Sequence, residues 1–123
     1  MKILLIEREP FLSGMYQAKL QIDGYLVTVA PDPKTAQKML AEDKFDMLLM
    51  DVNSGAPNSL DLLKSIRNSA DKVLAKIQII ILTNIGKKAD IEQALRLGAD
   101  DYIVKSNFTP AEVVEKIKKH LKK

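Results

Sequence analysis

The side chains best suited to chemistry in this chain stand directly after apolar runs of sequence. Acids follow the first and third runs, at Glu7 and Asp51. A hydroxyl closes the fourth run at Thr83, and an ammonium closes the fifth at Lys105. Carboxylate oxygens suit a hard cation such as Mg²⁺, whereas a lysine and a hydroxyl suit phosphate oxygens. Brought to one rim, these groups would support phosphoryl transfer to a carboxylate nucleophile, Asp51.

The elements that must position these groups alternate between strands and helices. Strands are predicted at residues 2–6, 25–30, 46–50, 77–83 and 101–105, and most of these runs are apolar on both faces. Five alternations of strand and helix predict a parallel sheet with helices on both faces. Ligands of such sheets bind beyond the carboxyl ends of the strands. The four groups above lie at such ends, as do the amides Asn53 and Asn84.

Helix starts are marked by capping residues and prolines. Asp32 and Thr109 each precede a proline and can cap a helix, Pro10 suits a first helical position, and Ser59 is a candidate cap for the third helix. The fourth helix is predicted over residues 87–97. The first helix is predicted to bury an apolar face whose members are Phe11, Met15, Ala18, Leu20 and Ile22.

Length and composition predict one cytoplasmic domain over residues 1–123, with no output domain. The chain has 123 residues, 46% of them hydrophobic, and no cysteine, and its start lacks the features of a secretory signal. The net charge of +3 is concentrated in the lysines of the last helix. A solvated helix end that complements the helix dipole is the favoured interpretation. A nucleic-acid or membrane patch is the alternative, but no aromatic residues are interleaved for base stacking. His120, the only histidine, is expected at the surface.

Four segments in order resemble the receiver domains of two-component response regulators, the chemotaxis-type (CheY-like) fold. The segments are residues 2–7 (KILLIE), 45–51 (FDMLLMD), 79–83 (IIILT) and 98–105 (GADDYIVK). The resemblance covers essentially the whole chain. It implies a flavodoxin-like (βα)5 three-layer sandwich, in which a five-stranded parallel sheet has the order 2-1-3-4-5.

The resemblance also assigns roles to the residues at the rim. It implies that Asp51 is the phosphoacceptor, and that Thr83 and Lys105 hold the phosphoryl oxygens. Mg²⁺ would be bound by Glu7, by Asp51 and by the backbone carbonyl of Asn53. The domain would catalyse its own phosphorylation and dephosphorylation at most, and would not be a conventional enzyme.

Partners follow from the same resemblance. A histidine kinase, a phosphotransfer protein or a small phosphodonor would supply the phosphoryl group, and a downstream protein effector would receive the signal. Thr83 and Tyr102 would act as the switch residues that report the state to a surface on the fourth helix, fifth strand and fifth helix. The domain would be a monomer or a weak homodimer through that surface, without direct nucleic-acid or membrane partners.

Arg8 is the main departure from the family pattern, because the family has a metal-binding acid at this position. Glu7, Arg8 and Asp51 sum to −1, whereas an acid at position 8 would give −3. Arg8 could pair with Asp51 or Glu7 where a metal would sit, or it could point to solvent. Glu9 is the next acid along the chain, and the bulk of Asn84 would narrow access to Asp51.

The loops near the site depart from the family as well. The turn after Asp51 has Gly55 and Pro57 in altered positions, followed by Asn58-Ser59 instead of an acid-glycine pair. Ser106 replaces the proline that usually follows the lysine, so a trans bond is expected before it.

These departures leave three functional hypotheses. The first is a working phosphoacceptor. The second is a degenerate receiver, a protein-binding module that needs neither phosphate nor Mg²⁺. The third is an unrelated flavodoxin-like enzyme or flavin binder, which is disfavoured because no glycine-rich or hydroxyl-rich loop follows the first strand.

Overall fold

A computed structural model describes residues 1–51, 58–83 and 88–121, without the side chains of Asn58 and Ser59. The strands are β1 (Lys2–Ile6), β2 (Leu26–Ala30), β3 (Met47–Asp51), β4 (Gln78–Thr83) and β5 (Asp101–Val104). The helices are α1 (Pro10–Ile22), α2 (Pro33–Glu42), α3 (Asn58–Arg67), α4 (Lys72–Ala75), α5 (Lys88–Arg96) and α6 (Pro110–Leu121), with a 3₁₀ turn at Lys105–Asn107.

The five strands form one parallel sheet in the order β2-β1-β3-β4-β5. Apolar clusters cover both of its faces, one containing side chains of α2, α3 and α5 and the other side chains of α1 and α6. Every residue of β3 is buried, as expected for a central strand covered on both faces. The predicted three-layer sandwich and its strand order are confirmed.

The predicted caps at Asp32 and Thr109 are confirmed, whereas Ser59 lies inside α3, which begins at Asn58, and is therefore not the cap of that helix. Asp32 accepts a hydrogen bond of 2.7 Å from the backbone N–H of Thr35. Thr109 and Glu112 form a reciprocal capping box, each side chain accepting from the other's backbone N–H at 3.2 and 2.9 Å. Gly98, after α5, has a φ of +113° and Gly24, after α1, a φ of +93°, both in the region that favours glycine.

The structure corrects the predicted buried face of α1. Phe11 and Ile22 are 71% and 83% exposed, whereas Ser13, Tyr16 and Leu20 are the buried residues of the helix. The buried residues recur at intervals of three and four, so they define one stripe, and Phe11 and Ile22 lie outside it. The apolar character of those two residues misled the prediction.

The structure also adds a one-turn helix, α4, that the sequence did not indicate. Asp71 caps it by accepting from the backbone N–H groups of Val73 and Leu74 at 3.0 and 3.3 Å. The predicted fourth and fifth helices are therefore α5 and α6. Within the described ranges no helix is long and apolar enough to cross a membrane.

Candidate functional site

Four adjacent strands bring the predicted chemical groups to one rim of the sheet. Asp51 and Thr83 are the last residues of β3 and β4, while Glu7 and Lys105 come directly after β1 and β5. All four residues are buried, with exposed fractions between 3% and 7%. Buried polar groups need partners, so these side chains must satisfy one another or groups of the nearby loops.

Lys105 is the centre of this arrangement. Its ammonium donates to Glu7 Oε1 at 2.6 Å and to Asp51 Oδ1 at 3.3 Å. All three side chains are at most 4% exposed. One cation thus neutralises one of two acids, and the buried triad keeps a net charge of −1. A triad of this kind is costly to bury and costly to break, because each remaining charge would lose its partner.

The second oxygen of Glu7 is engaged as well, since Oε2 accepts from the backbone N–H of Glu9 at 3.3 Å. The Glu9 side chain itself is exposed and caps α1 by accepting from the N–H of Phe11 at 3.2 Å. Glu9 therefore supports the site through its backbone, and its carboxylate is used at the helix start.

Arg8 points away from the triad. Its side chain is exposed, and across the described residues it forms no ion pair with Glu7 or Asp51. Its charge instead adds to the hydrogen bonds from Thr35 that lower the pKa of Asp32. Of the two arrangements that the sequence left open for Arg8, the structure has the exposed side chain, and the pairing with Asp51 or Glu7 is wrong for this structure.

Burial and charge shift the acidity of the site. Burial raises the pKa of Asp51 to about 6, the Lys105 ammonium opposes this rise, and the Glu7 carboxylate adds to it. Burial, followed by the charges of Glu7 and Asp51, raises the pKa of Tyr16 to about 12. Tyr16 is 1% exposed and reaches this neighbourhood from α1. The sequence reasoning missed it, although its spacing of four residues from Leu20 was an available signal.

The remaining predicted residues are spread more widely. Tyr102 lies on β5 and is 42% exposed. The peptide bond before Ser106 is trans, as predicted. Asn53 and Asn84 lie outside the described residues, as do Gly55 and Pro57. His120 is half-buried, where its Nε2 lies 2.8 Å from Asp101 Oδ2 and its Nδ1 lies 3.1 Å from Gln78 Nε2.

The described residues do not fit a complete Mg²⁺ site. Glu7 and Asp51 provide carboxylates, but both already contact the ammonium of Lys105. Arg8 stands where the family has a third acid. Over the described ranges no group of three potential metal-binding side chains is found. Mg²⁺, which receiver domains generally bind, would meet fewer ligands here and a competing internal cation.

Known proteins are similar to this chain in sequence and in fold. The family model described as response regulator receiver domain matches residues 3–118. Transcriptional regulatory protein CpxR of Escherichia coli (strain K12) is 34% identical over 122 residues, which is 99% of this chain and 50% of CpxR. Transcriptional regulatory protein CrdR of Helicobacter pylori is 35% identical over 118 residues, which is 96% of this chain and 54% of CrdR. This chain therefore spans about half the length of these curated relatives.

A solved structure agrees with these relatives. The BeF3-activated N-terminal receiver domain of RstA from Klebsiella pneumoniae superimposes with a TM-score of 0.83, at 25% identity and over 100% of both chains. The family match covers most of the chain and includes the strands that carry Glu7, Asp51, Thr83 and Lys105. The chain belongs to the response regulator receiver domain family of two-component signalling.

Proposed function

We propose that this receiver domain accepts a phosphoryl group on Asp51. The observation that carries the proposal is the 3.3 Å contact between Lys105 Nζ and Asp51 Oδ1, buried at the carboxyl ends of β5 and β3, the two strands that flank β4. This contact places a cation beside the carboxylate that would become phosphorylated. Thr83, at the end of the neighbouring strand β4, adds a hydroxyl to the same rim. Family membership supports the same role for Asp51.

In the proposed step, a carboxylate oxygen of Asp51 attacks the phosphorus atom of the donor. The bond between phosphorus and the leaving group breaks, and its electron pair departs with the leaving group. With a pKa of about 6, Asp51 is largely ionised at neutral pH and can act as the nucleophile. Lys105 then neutralises one oxygen of the acyl phosphate, and Thr83 donates a hydrogen bond to another.

Intact-mass measurement after incubation with acetyl phosphate and Mg²⁺ tests this proposal. The native chain should gain the mass of one phosphoryl group, and the Asp51→Asn chain should gain none. A gain of equal size in both chains would place the phosphate elsewhere and refute the assignment.

A second candidate is a degenerate receiver that binds its partner without phosphate or Mg²⁺. The specific observation in its favour is that Lys105 already bridges Glu7 and Asp51, while Arg8 stands in place of the usual acid. If the native chain gains no phosphoryl group but the Arg8→Asp chain does, this candidate replaces the first. No observation favours the flavin-binding alternative.

The proposed partners are a histidine kinase or phosphotransfer protein upstream and a protein effector downstream, in the cytoplasm. The proposed signalling face is formed by α5, β5 and α6, where Tyr102 is 42% exposed. The domain is proposed to be a monomer or a weak homodimer through that face. Sedimentation velocity with and without acetyl phosphate tests the oligomeric state, and a stable dimer in both conditions would contradict it.

A further inference from the structure

His120, the only histidine of the chain, lies near the end of α6 and contacts two strands at once. Its Nε2 lies 2.8 Å from Oδ2 of Asp101, the first residue of β5. Its Nδ1 lies 3.1 Å from Nε2 of Gln78, the first residue of β4. Because parallel strands begin at the same edge of a sheet, these contacts lie at the amino edge. The rim that carries Asp51 is at the opposite edge.

The two contacts define where the proton of the neutral ring lies. The Nε2 atom of Gln78 carries hydrogens and can only donate, so Nδ1 of His120 must accept and carries no proton. The proton is then on Nε2 of the ring, from which it is donated to the Asp101 carboxylate. In this form both ring nitrogens have a hydrogen-bond partner, and α6 is joined to β4 and to β5.

A second proton on the ring changes both contacts. It would bind to Nδ1, where its N–H would point at the NH₂ group of Gln78, and two donors cannot bond to one another. The contact is restored if the Gln78 amide turns over, because Oε1 then faces the ring as an acceptor. On the other side, the contact with Asp101 becomes an ion pair, which strengthens this hydrogen bond.

The charged and titratable groups around the ring come from β5 and α6. They are Asp101, Tyr102, Lys116 and Lys119, which line the same groove as His120. β4 presents the neutral side chain of Gln78. The neighbouring acid Asp100 is turned elsewhere, since its Oδ2 accepts from the backbone N–H of Ile79 at 2.8 Å. Within the described ranges, Asp101 is therefore the only acid in contact with the ring. The imidazole is 24% exposed, so protons from solvent can reach it.

We infer that His120 is a protonation switch that sets how the end of α6 is joined to the sheet. The neutral ring bonds to both strands, whereas the protonated ring forms an ion pair with β5 and turns the amide of Gln78. Histidine suits this role because its charge changes between about pH 5 and pH 8. Oδ1 of Asp101 accepts from the backbone N–H of Tyr102 at 2.8 Å, so the same carboxylate passes the change to β5. The inference goes beyond the proposed function, because it does not require phosphorylation of Asp51.

A pH titration of the isotope-labelled native chain, followed by NMR, tests the inference. The ring signals of His120 should titrate between about pH 5 and pH 8. The side-chain amide signals of Gln78 and the backbone amide signal of Tyr102 should shift with the same midpoint. Gln17 is the matched internal control, because its side-chain amide donates to the backbone carbonyl of Val27 at 2.9 Å, which does not titrate. The side-chain signals of Gln17 should stay constant.

Two variants separate the ring from other titrating groups. In His120→Gln, the signals of Gln78 and Tyr102 should lose their dependence on pH over this range. Asp101→Asn keeps an oxygen acceptor but removes the negative charge. In that variant the side-chain signals of Gln78 should still follow the ring, because the amide responds to the proton on Nδ1.

A His120 ring that does not titrate in this range would overturn the inference, as would Gln78 signals that stay constant while the ring titrates. An unaltered pH dependence in His120→Gln would assign the change to another group and would also overturn it. Loss of the Gln78 response in Asp101→Asn, with the ring still titrating, would place the change at the carboxylate and refute the role of the amide. The titration uses the unphosphorylated chain, so its outcome is independent of the proposed function.

Discussion

The two ends of the sheet each hold a largely buried cation, but with different partners. At the carboxyl end, Lys105 is held by the carboxylates of Glu7 and Asp51. At the amino end, the Arg67 guanidinium donates to the backbone carbonyls of Gly98, Ala75 and Ile77 at 2.7 to 2.9 Å, and to Asp100 Oδ2 at 3.1 Å.

The difference separates a structural cation from one that can respond to chemistry. Backbone carbonyls keep the same charge under all conditions, so three of the four partners of Arg67 do not titrate, and only Asp100 does. The partners of Lys105 are ionisable side chains, and one of them is the proposed phosphoacceptor. Phosphorylation of Asp51 would change the charge that Lys105 meets, and the ammonium could then exchange Glu7 for a phosphoryl oxygen.

The largest expected loss of stability follows from removal of the structural cation, Arg67. Arg67→Ala should lower the free energy of unfolding by about 3 kcal/mol, because buried carbonyls lose a charged donor. Urea denaturation measures the change. Arg96→Ala, which removes an exposed arginine from α5, is the control and should change stability by less than about 0.5 kcal/mol. A loss below about 1 kcal/mol in Arg67→Ala would contradict the structural role.

Lys105→Met should lower the free energy of unfolding by about 2 kcal/mol at pH 7, because two buried carboxylates then lie together without a cation. Without the Lys105 ammonium, which opposes the rise, the folded-state pKa of Asp51 moves further above its unfolded value. Proton uptake therefore stabilises the folded variant as the pH falls, and its deficit relative to the native chain should shrink between pH 7 and pH 5.

The deficit of Arg67→Ala should stay constant over the same pH range, since its main partners are backbone carbonyls. Urea denaturation of both variants at both pH values makes the comparison. A deficit of Lys105→Met that does not depend on pH would remove the distinction between the two cations.

Gly98→Ala should lower the free energy of unfolding by about 1 to 2 kcal/mol. Its φ of +113° disfavours a side chain, and an added Cβ would lie 2.8 Å from the Cγ of Arg67. Gly14→Ala is the matched control, because nothing lies within 4 Å of its Cβ position in α1 and the helix should gain about 0.5 to 1 kcal/mol. Thermal melting of both variants measures the two changes in stability. Equal changes in Gly98→Ala and Gly14→Ala would contradict the requirement for glycine at position 98.

The smallest expected change in stability follows from substitution of Asp51. Asp51→Asn should raise the free energy of unfolding by about 1 kcal/mol at pH 7, because it removes the acid whose charge burial and Glu7 disfavour. Lys105 keeps its shorter contact with Glu7. Urea denaturation measures the gain. A loss of more than about 1 kcal/mol would mean that the Asp51 contact with Lys105 outweighs its desolvation.

The sequence predicted those features that local patterns determine. The sheet and its helices could be predicted from the apolar run of β3, the caps at Asp32 and Thr109 and the alternation of elements. Strand ends predicted the rim with Glu7, Asp51 and Lys105. By contrast, the partners of Arg67 lie 8 to 33 residues away in the chain, and no local pattern indicates them.

The directions of the side chains in the site could not be predicted from the sequence either. The preference of Lys105 for Glu7 over Asp51 depends on the packed positions of three strands. Arg8 lies two residues beyond Ile6, the last paired residue of β1, so the alternation of side chains along the strand does not predict its outward direction. Tyr16 was missed because exposed apolar residues in the same helix gave a competing pattern.

The most direct test of the central claim is to identify the phosphorylated residue chemically. The native chain is treated with acetyl phosphate and Mg²⁺, reduced with sodium borohydride, which converts an aspartyl phosphate to homoserine, and mapped by peptide mass spectrometry. We predict homoserine at position 51 and at no other aspartate. An unmodified Asp51, or reduction at a different acid, would contradict the account.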